Sequence, residues 1–253
     1  MDATPAALEW RVEETCLSAW PALQEVLFDG WLLRFSEGLT RRANSANPLR
    51  PLPHADLPAC ELLYRRQKLP TIFRVLSLIA PSVDEQLASA GYTDEGDSCV
   101  LYGGIDEIEM GPDPDVCLLS KPNPEWFRVM AALQNHTIEQ ANIYQRIVGQ
   151  IAIPASFAVL SADGEIVALA YGALNDALLC YESVVTDRRH RRQGYGRRII
   201  SSLAGWAKEN GAQGACLQVE SGNTPARTLY HTMGLKRQLY RYHYRREPRI
   251  QNK

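Results

Sequence analysis

One stretch limits what this chain can fold into more than any other: VVTDRRHRRQGYGRRII, residues 184–200. Its β-branched start reads as the end of a strand. Its end opens an amphipathic helix, RRIISSLAGWAKEN, with Ile199, Ile200, Leu203, Trp206 and Ala207 on one stripe and Gly211 as a C-terminal stop. A strand that passes through a glycine turn into a helix presents the first helical N–H groups, which lack intrahelical partners, at the positive end of the helix dipole. Anions bind there. Gly194 and Gly196 let backbone approach a phosphate closely, and arginines add charge-assisted bonds. Residues 186–198 set six arginines and a histidine around those two glycines.

Several uses of such a loop compete. A dinucleotide fingerprint needs a third glycine where Ile199 stands, and a P-loop needs a Gly-Lys-Ser/Thr ending that is absent. A nucleic-acid patch would suit the arginines. However, the formal net charge of the chain is −2, so the positive charge is local and the excess expected of a dedicated binder is missing. A solvated turn, with glycines serving only the backbone, stays open on this stretch alone.

The chain has 253 residues, 45% hydrophobic and 22% charged, which suits a globular protein with one large or two modest domains. Its six cysteines form no CxxC pair, so free thiols are expected rather than a zinc site or disulfide framework. His231 and His243 have no ligand-spaced partner, and no metal is expected. The opening MDATPAALEWRVEE lacks the basic and apolar regions of a signal peptide, and no run is long enough to span a membrane. The expectation is a cytoplasmic protein.

Residues 104–124 are acidic, then proline-rich, and read as a connection. They divide the chain into a smaller α+β domain (residues 1–110), a linker (111–124) and a main domain (125–253). In the main domain, residues 125–149 have helical spacing. FAVLS, an Asp163-Gly164 turn and EIVALAYGAL read as a β-hairpin, and Asn175-Asp176 turns into a third strand, ALLCYESVVT. After the loop and its helix come the strand ACLQVES and a helix with Thr224 as N-cap and Pro225 in its first turn. Gly234 ends that helix, and QLYRYHYR forms a last strand. The first part repeats a helix–strand–helix–strand order in CELLYRRQ, TIFRVLSLI, SVDEQLASAGY and SCVLYGGI, like a degenerate second copy without the glycines.

Arg191-x-x-Gly194-x-Gly196 after a strand resembles the acetyl-coenzyme A loop of the GNAT N-acetyltransferase superfamily. Downstream, Asn223-x-x-Ala226-x-x-Leu229-Tyr230-x-x-x-Gly234-Leu235 resembles its second motif at the usual distance. The likeness covers about residues 125–246 well and departs at Arg188, where many members carry proline. GWLLRFSEGLTRRANSANPL resembles, less specifically, the leading half of a bacterial subgroup with a degenerate N-terminal domain. The resemblance implies an α/β (α+β) fold, a mixed, mostly antiparallel sheet flanked by helices.

It also implies a chemistry. In the superfamily the fourth strand splays from the fifth, and pantetheine lies in the opening like an added strand. Here the main chain of Val184, Val185 and Thr186 would face pantetheine. The amides of Arg191, Arg192, Gln193, Gly194, Tyr195, Gly196 and Arg197 would hold the pyrophosphate, with Asn223 bonding pantetheine or only shaping its turn. Tyr230 would protonate the departing thiolate, and Glu182 is the best carboxylate for a base. The expected activity is acetyl transfer from acetyl-CoA to an amine-bearing acceptor by direct attack, in a monomer or homodimer with no nucleic-acid or membrane partner. A ping-pong route through Cys180 or Cys216 lacks an evident activating group. A non-catalytic acyl-CoA-binding or sensing module is the alternative. Arg41-Arg42 with Asn44 and Ser45 has two readings, a lining of the acceptor pocket or a solvated loop, and the solvated loop is the one expected.

Overall fold

The computed structural model describes residues 5–248, so the first four residues of the N-terminal stretch read above lie outside it. The first part runs α1 (Pro5–Ala19), β1 (Gln24–Phe28), β2 (Trp31–Phe35), β3 (Ala46–Pro48), α2 (Leu57–Arg66), β4 (Ile72–Leu76), α3 (Pro81–Ser89) and β5 (Thr93–Gly104). Then follow β6 (Val116–Leu119), α4 (Pro124–Gln134), α5 (Ile138–Val148), β7 (Ala155–Ala162), β8 (Glu165–Asn175) and β9 (Leu178–Thr186). The chain continues with α6 (Tyr195–Glu209), β10 (Gly214–Glu220), α7 (Thr224–Thr232) and β11 (Arg237–Arg246).

Local chemistry explains most boundaries. Asp163 and Gly164 both take positive φ, 52° and 79°, as the tight β7–β8 turn requires. The next turn sits one residue later than the sequence suggests, with positive φ at Asp176 and Ala177. Thr137 and Gln140 form a reciprocal capping box on α5. Asn223, not Thr224, caps α7: its side chain accepts from the Ala226 amide at 3.2 Å. The acidic, proline-rich residues 104–124 contain a strand, since β6 pairs antiparallel with β7 from Val116↔Leu160 to Leu119↔Phe157.

The eleven strands of the described residues form one sheet, in the order β1-β2-β3-β4-β11-β5-β10-β9-β8-β7-β6. The final strand therefore lies between two strands of the first part, antiparallel to both. The run β3–α2–β4–α3–β5 has the same element order as β9–α6–β10–α7–β11, and β3/β4 pair in parallel as β9/β10 do. From Ile166 to Leu174 strand β8 carries no charged residue, and both its faces are covered. Leu169, Tyr171 and Ala173 pack with Trp126 and Tyr144 from α4 and α5, whereas Ala168 and Ala170 pack with Ile199, Ile200 and Leu203 of α6. Trp206, placed on the same stripe by its spacing, is only half-buried. Where β5 meets the α7–β11 turn, a Cβ on Gly103 would lie 2.4 Å from the Gly234 carbonyl oxygen, so backbone touches backbone.

Inside the sheet's junction, Arg74 of β4 and Glu13 of α1 form a doubly bonded ion pair with each side chain 1% exposed. The Tyr240 hydroxyl of β11 donates to Glu13 Oε2 at 2.6 Å, and the Arg74 guanidinium lies 3.9 Å from the centre of the Tyr242 ring. One ion pair thus joins three elements. Glu13→Gln should leave the buried guanidinium without a counter-charge and cost about 3–5 kcal/mol. Urea denaturation, read as a lower midpoint at unchanged slope, checks this.

Candidate active site

Strands β9 and β10 run parallel and share only three register pairs, Gly214↔Leu178, Ala215↔Leu179 and Cys216↔Cys180. Beyond them the strands part. On its far edge β9 stays paired with β8 as far as Thr186, and β10 stays paired with β5 as far as Glu220. The inner edges after the fork therefore face each other with free backbone groups. The β8–β9 register shifts between Leu169↔Val185 and Tyr171↔Glu182, which places one extra residue on β9. Ser183 carries that bulge at φ 53°, and its hydroxyl accepts from the Tyr144 hydroxyl at 2.7 Å. A bulge re-aims the strand that carries it.

The glycine–arginine loop follows. Arg192 and Gly194 take positive φ, 62° and 83°, and Gly194 starts α6 with no side-chain cap. The Arg197 and Arg198 amides return to the Gly194 carbonyl at 3.0 and 3.1 Å. Among the described residues, no group of the chain accepts from the amides of residues 191–196. A Cβ at Gly194 would meet nothing within 4 Å, so this glycine serves conformation; one at Gly196 would come 3.2 Å from the Leu229 side chain, so this glycine serves packing of α6 on α7.

The arginines divide into two sets. Arg189 pairs with Asp187 and Glu165, Arg197 with Glu109, and Arg198 with Asp113 and Asp115. Among the described residues Arg188, Arg191 and Arg192 make no ion pair. The three acids that hold Arg197 and Arg198 come from residues 109–115, part of the stretch read as a connection.

The family described as Probable histone acetyltransferase Rv0428c C-terminal matches residues 10–245. The chain belongs to the GNAT acetyltransferases. The chain is 27% identical over 241 residues to the uncharacterized N-acetyltransferase YobR of Bacillus subtilis, covering 93% of this chain and 97% of that one. It is 26% identical over 239 residues to the probable histone acetyltransferase Rv0428c of Mycobacterium tuberculosis, covering 89% and 70%. In fold it resembles a GCN5-related N-acetyltransferase from Kribbella flavida, with a TM-score of 0.72 at 16% identity, over 100% and 98% of the two chains. Among the described residues no helix is long and apolar enough to cross a membrane.

Within this GNAT fold, Val184, Val185 and Thr186 lie on the open arm of the fork, and residues 191–196 lie on the loop with their amides free. Arg197 is not brought to them, because its amide and its side chain are both taken. Tyr230, on α7, is 9% exposed. Burial, with a smaller contribution from Glu182, raises its hydroxyl to about 12, so it stays protonated through neutral pH.

Glu182 is 5% exposed on the β9 arm, and Arg42 grips it with both ends, Nη1–Oε1 at 2.5 Å and Nη2–Oε2 at 2.7 Å. The same Nη1 donates to Gln218 Oε1 on the β10 arm at 3.0 Å, and Gln218 accepts from the Tyr242 hydroxyl at 3.2 Å. The expectation of a solvated Arg41-Arg42 loop is therefore corrected. Arg42 bridges the fork, and its own side chain is only 25% exposed. Burial works against its charge, but Glu182 outweighs this and holds its pKa well above the ordinary value. Asn44 is also buried, where it accepts from the Ser36 and Gly38 amides and so closes the turn that aims Arg42. No sequence signal marks this contact, since its partners stand 140 residues apart.

A cavity of about 200 Å³ lies on the Arg42 side of the fork, lined by Arg41, Arg42, Ser98, Gln218, Tyr242 and Tyr244 among others. Arg42→Met should strand the Glu182 carboxylate at a cost of about 3 kcal/mol, the low end for a buried pair because Arg42 is partly exposed. Adding Glu182→Gln should recover most of that loss. A double-mutant cycle by chemical denaturation measures the coupling.

Proposed function

We propose that this protein transfers an acetyl group from acetyl-CoA to a primary amine by direct attack of the amine on the thioester. The observation that carries the reading is the fork itself: an open, bulged β9 edge leads without interruption into unclaimed amides at the start of α6. Pantetheine would pair along residues 184–186 as a missing strand does. The pyrophosphate would take the amides of residues 191–196. Arg188, Arg191 and Arg192, the arginines without an acidic partner, would reach the remaining phosphate.

Attack requires an uncharged amine and a proton for the leaving thiolate. Tyr230 supports the second role, because burial keeps its hydroxyl protonated beside the fork. Glu182 supports the first less directly. Both its oxygens are held by Arg42, and a carboxylate so paired is better suited to fixing the two arms than to accepting a proton. In this reading Glu182 orients the site while the proton of the acceptor leaves to solvent through the cavity lined by Arg42 and Gln218. The name of the mycobacterial relative points to a lysine amine, which shares the primary-amine chemistry proposed here.

Acetyl-CoA should raise the unfolding temperature, by mass action, by an amount equivalent to about 2.7 kcal/mol at a hundredfold excess over its dissociation constant. Gly194→Glu should abolish the shift, since any side chain is strained at that φ and this one repels phosphate. A wild-type protein indifferent to the coenzyme in a thermal-shift assay would refute the reading. Tyr230→Phe should lower kcat by about 100-fold while KM for acetyl-CoA barely moves, because the hydroxyl matters only as the thiolate develops. Steady-state kinetics with any accepted amine, monitored by thiol release, decide this. An unchanged kcat where chemistry limits the rate removes Tyr230 from proton transfer.

A further inference from the structure

Three thiols from distant parts of the chain meet just below the fork. Cys16 comes from α1, Cys180 from β9 and Cys216 from β10, and all three are buried. Their sulfurs lie within 4.8 Å of one another, with Cys16 and Cys180 at 3.8 Å. Cys180 and Cys216 are also the last register pair before β9 and β10 separate. Buried cysteines commonly act as small apolar residues. Convergence of three sulfurs on one point, from three separate elements, is a different arrangement.

The dimensions fit a metal ion. Sulfurs at about 2.3 Å from a common centre, set at the corners of a triangle, stand about 4.0 Å apart. The trio reaches that spacing by side-chain movements of less than about 1 Å. The donor set narrows the choice of ion. Two oxygens lie 3.9 Å from the Cys180 sulfur, the Tyr181 carbonyl, which is a hard neutral donor, and Glu182 Oε1, whose carboxylate is already gripped by Arg42. A structural zinc site takes four protein ligands. Three soft donors with no free fourth suit a soft ion such as copper(I).

Charge bears on the site too. Three thiolates around a monovalent cation carry a net charge of −2, which burial disfavours. Beside Cys16 lies a cavity of about 10 Å³ whose lining includes Arg34, Arg42 and Arg74. Each guanidinium already faces a carboxylate, Glu25, Glu182 and Glu13 in turn, so these arginines lower the local field without cancelling the charge of the site. The unpaired arms of the fork begin immediately beyond Cys180 and Cys216.

We propose that Cys16, Cys180 and Cys216 form a binding site for one soft, thiophilic metal ion of the copper(I) class. Each S–H bond replaced by an S–metal bond releases its proton to solvent, and the ion keeps its oxidation state. The site does not depend on the acetyl-transfer reading.

The test uses full-length Cys117→Ser protein, since Cys117 is the exposed thiol among the described residues and would compete. It is titrated without oxygen with copper(I) supplied as its acetonitrile complex, against a chromogenic copper(I) chelator. One equivalent should be retained, with an ultraviolet thiolate-to-copper charge-transfer band that saturates at that ratio. Adding Cys16→Ser should weaken retention by at least about 100-fold, since loss of a supporting group alone costs up to that much. Cys60→Ser, at a buried cysteine outside the trio, should change nothing. X-ray absorption on the loaded Cys117→Ser protein needs no change in the trio and should report three sulfur neighbours. Fewer than three sulfurs, no retained equivalent, or equal affinity in a folded Cys16→Ser protein would each overturn the proposal.

Discussion

Parallel strands β9 and β10 stop pairing after Cys180 and Cys216, and the geometry of the candidate site is arranged around that separation. A strand edge left open inside a large sheet exposes backbone donors and acceptors that want partners. Here the outer edges stay fixed by β8 and β5, so the opening is held at a set width and does not collapse. The bulge at Ser183 turns the β9 arm, and the loop after Thr186 carries the chain straight to the start of α6. The open edge is thus a consequence of one departure from regular pairing, and the loop amides follow it along the chain.

Arg42 carries the first part of the chain into that opening. Arg42 reaches from a turn closed by Asn44 to Glu182 on one arm and Gln218 on the other. Buried ion pairs are weak evidence for stability, because removing two charges from water offsets much of their attraction. Their value lies in geometry, since a bidentate pair tolerates little displacement of either partner. A second pair, Arg74–Glu13 with Tyr240, plays the same part at the junction of α1, β4 and β11. Both pairs fix where separate stretches of chain meet.

Legibility in the sequence tracked the range of the interaction. The Asp163-Gly164 turn, the α6 stripe and the strand–glycine–helix passage are local, and each stands where periodicity and turn chemistry put it. Strands β1 to β3 gave no such pattern. Val26 and Leu27 of β1 are neighbours that are both exposed, which breaks alternation, and β3 is three residues long. The stretch before Pro124 read as a connection because it is acidic and then rich in proline. Two of its aspartates instead bind Arg198, and β6 follows directly after them. Glu182 and Tyr230 stand out in the sequence because they sit on or near a motif. Arg42 does not, because its meaning comes from partners 140 and 176 residues away.

Strand β11 follows every other strand along the chain yet lies between β4 and β5. During synthesis the ribosome therefore delivers β4 and β5 long before the strand that separates them. Until then each presents a bare edge, the kind of surface on which chains misassemble. The pairing that closes the gap, Tyr244↔Arg74 on one side and Tyr244↔Glu95 on the other, joins residues far apart in sequence and is slow to form for that reason. The leading half cannot complete its part of the sheet before the last strand arrives. A nascent chain is committed to finishing both at once, and the interval before β11 arrives is when it most needs protection from its neighbours.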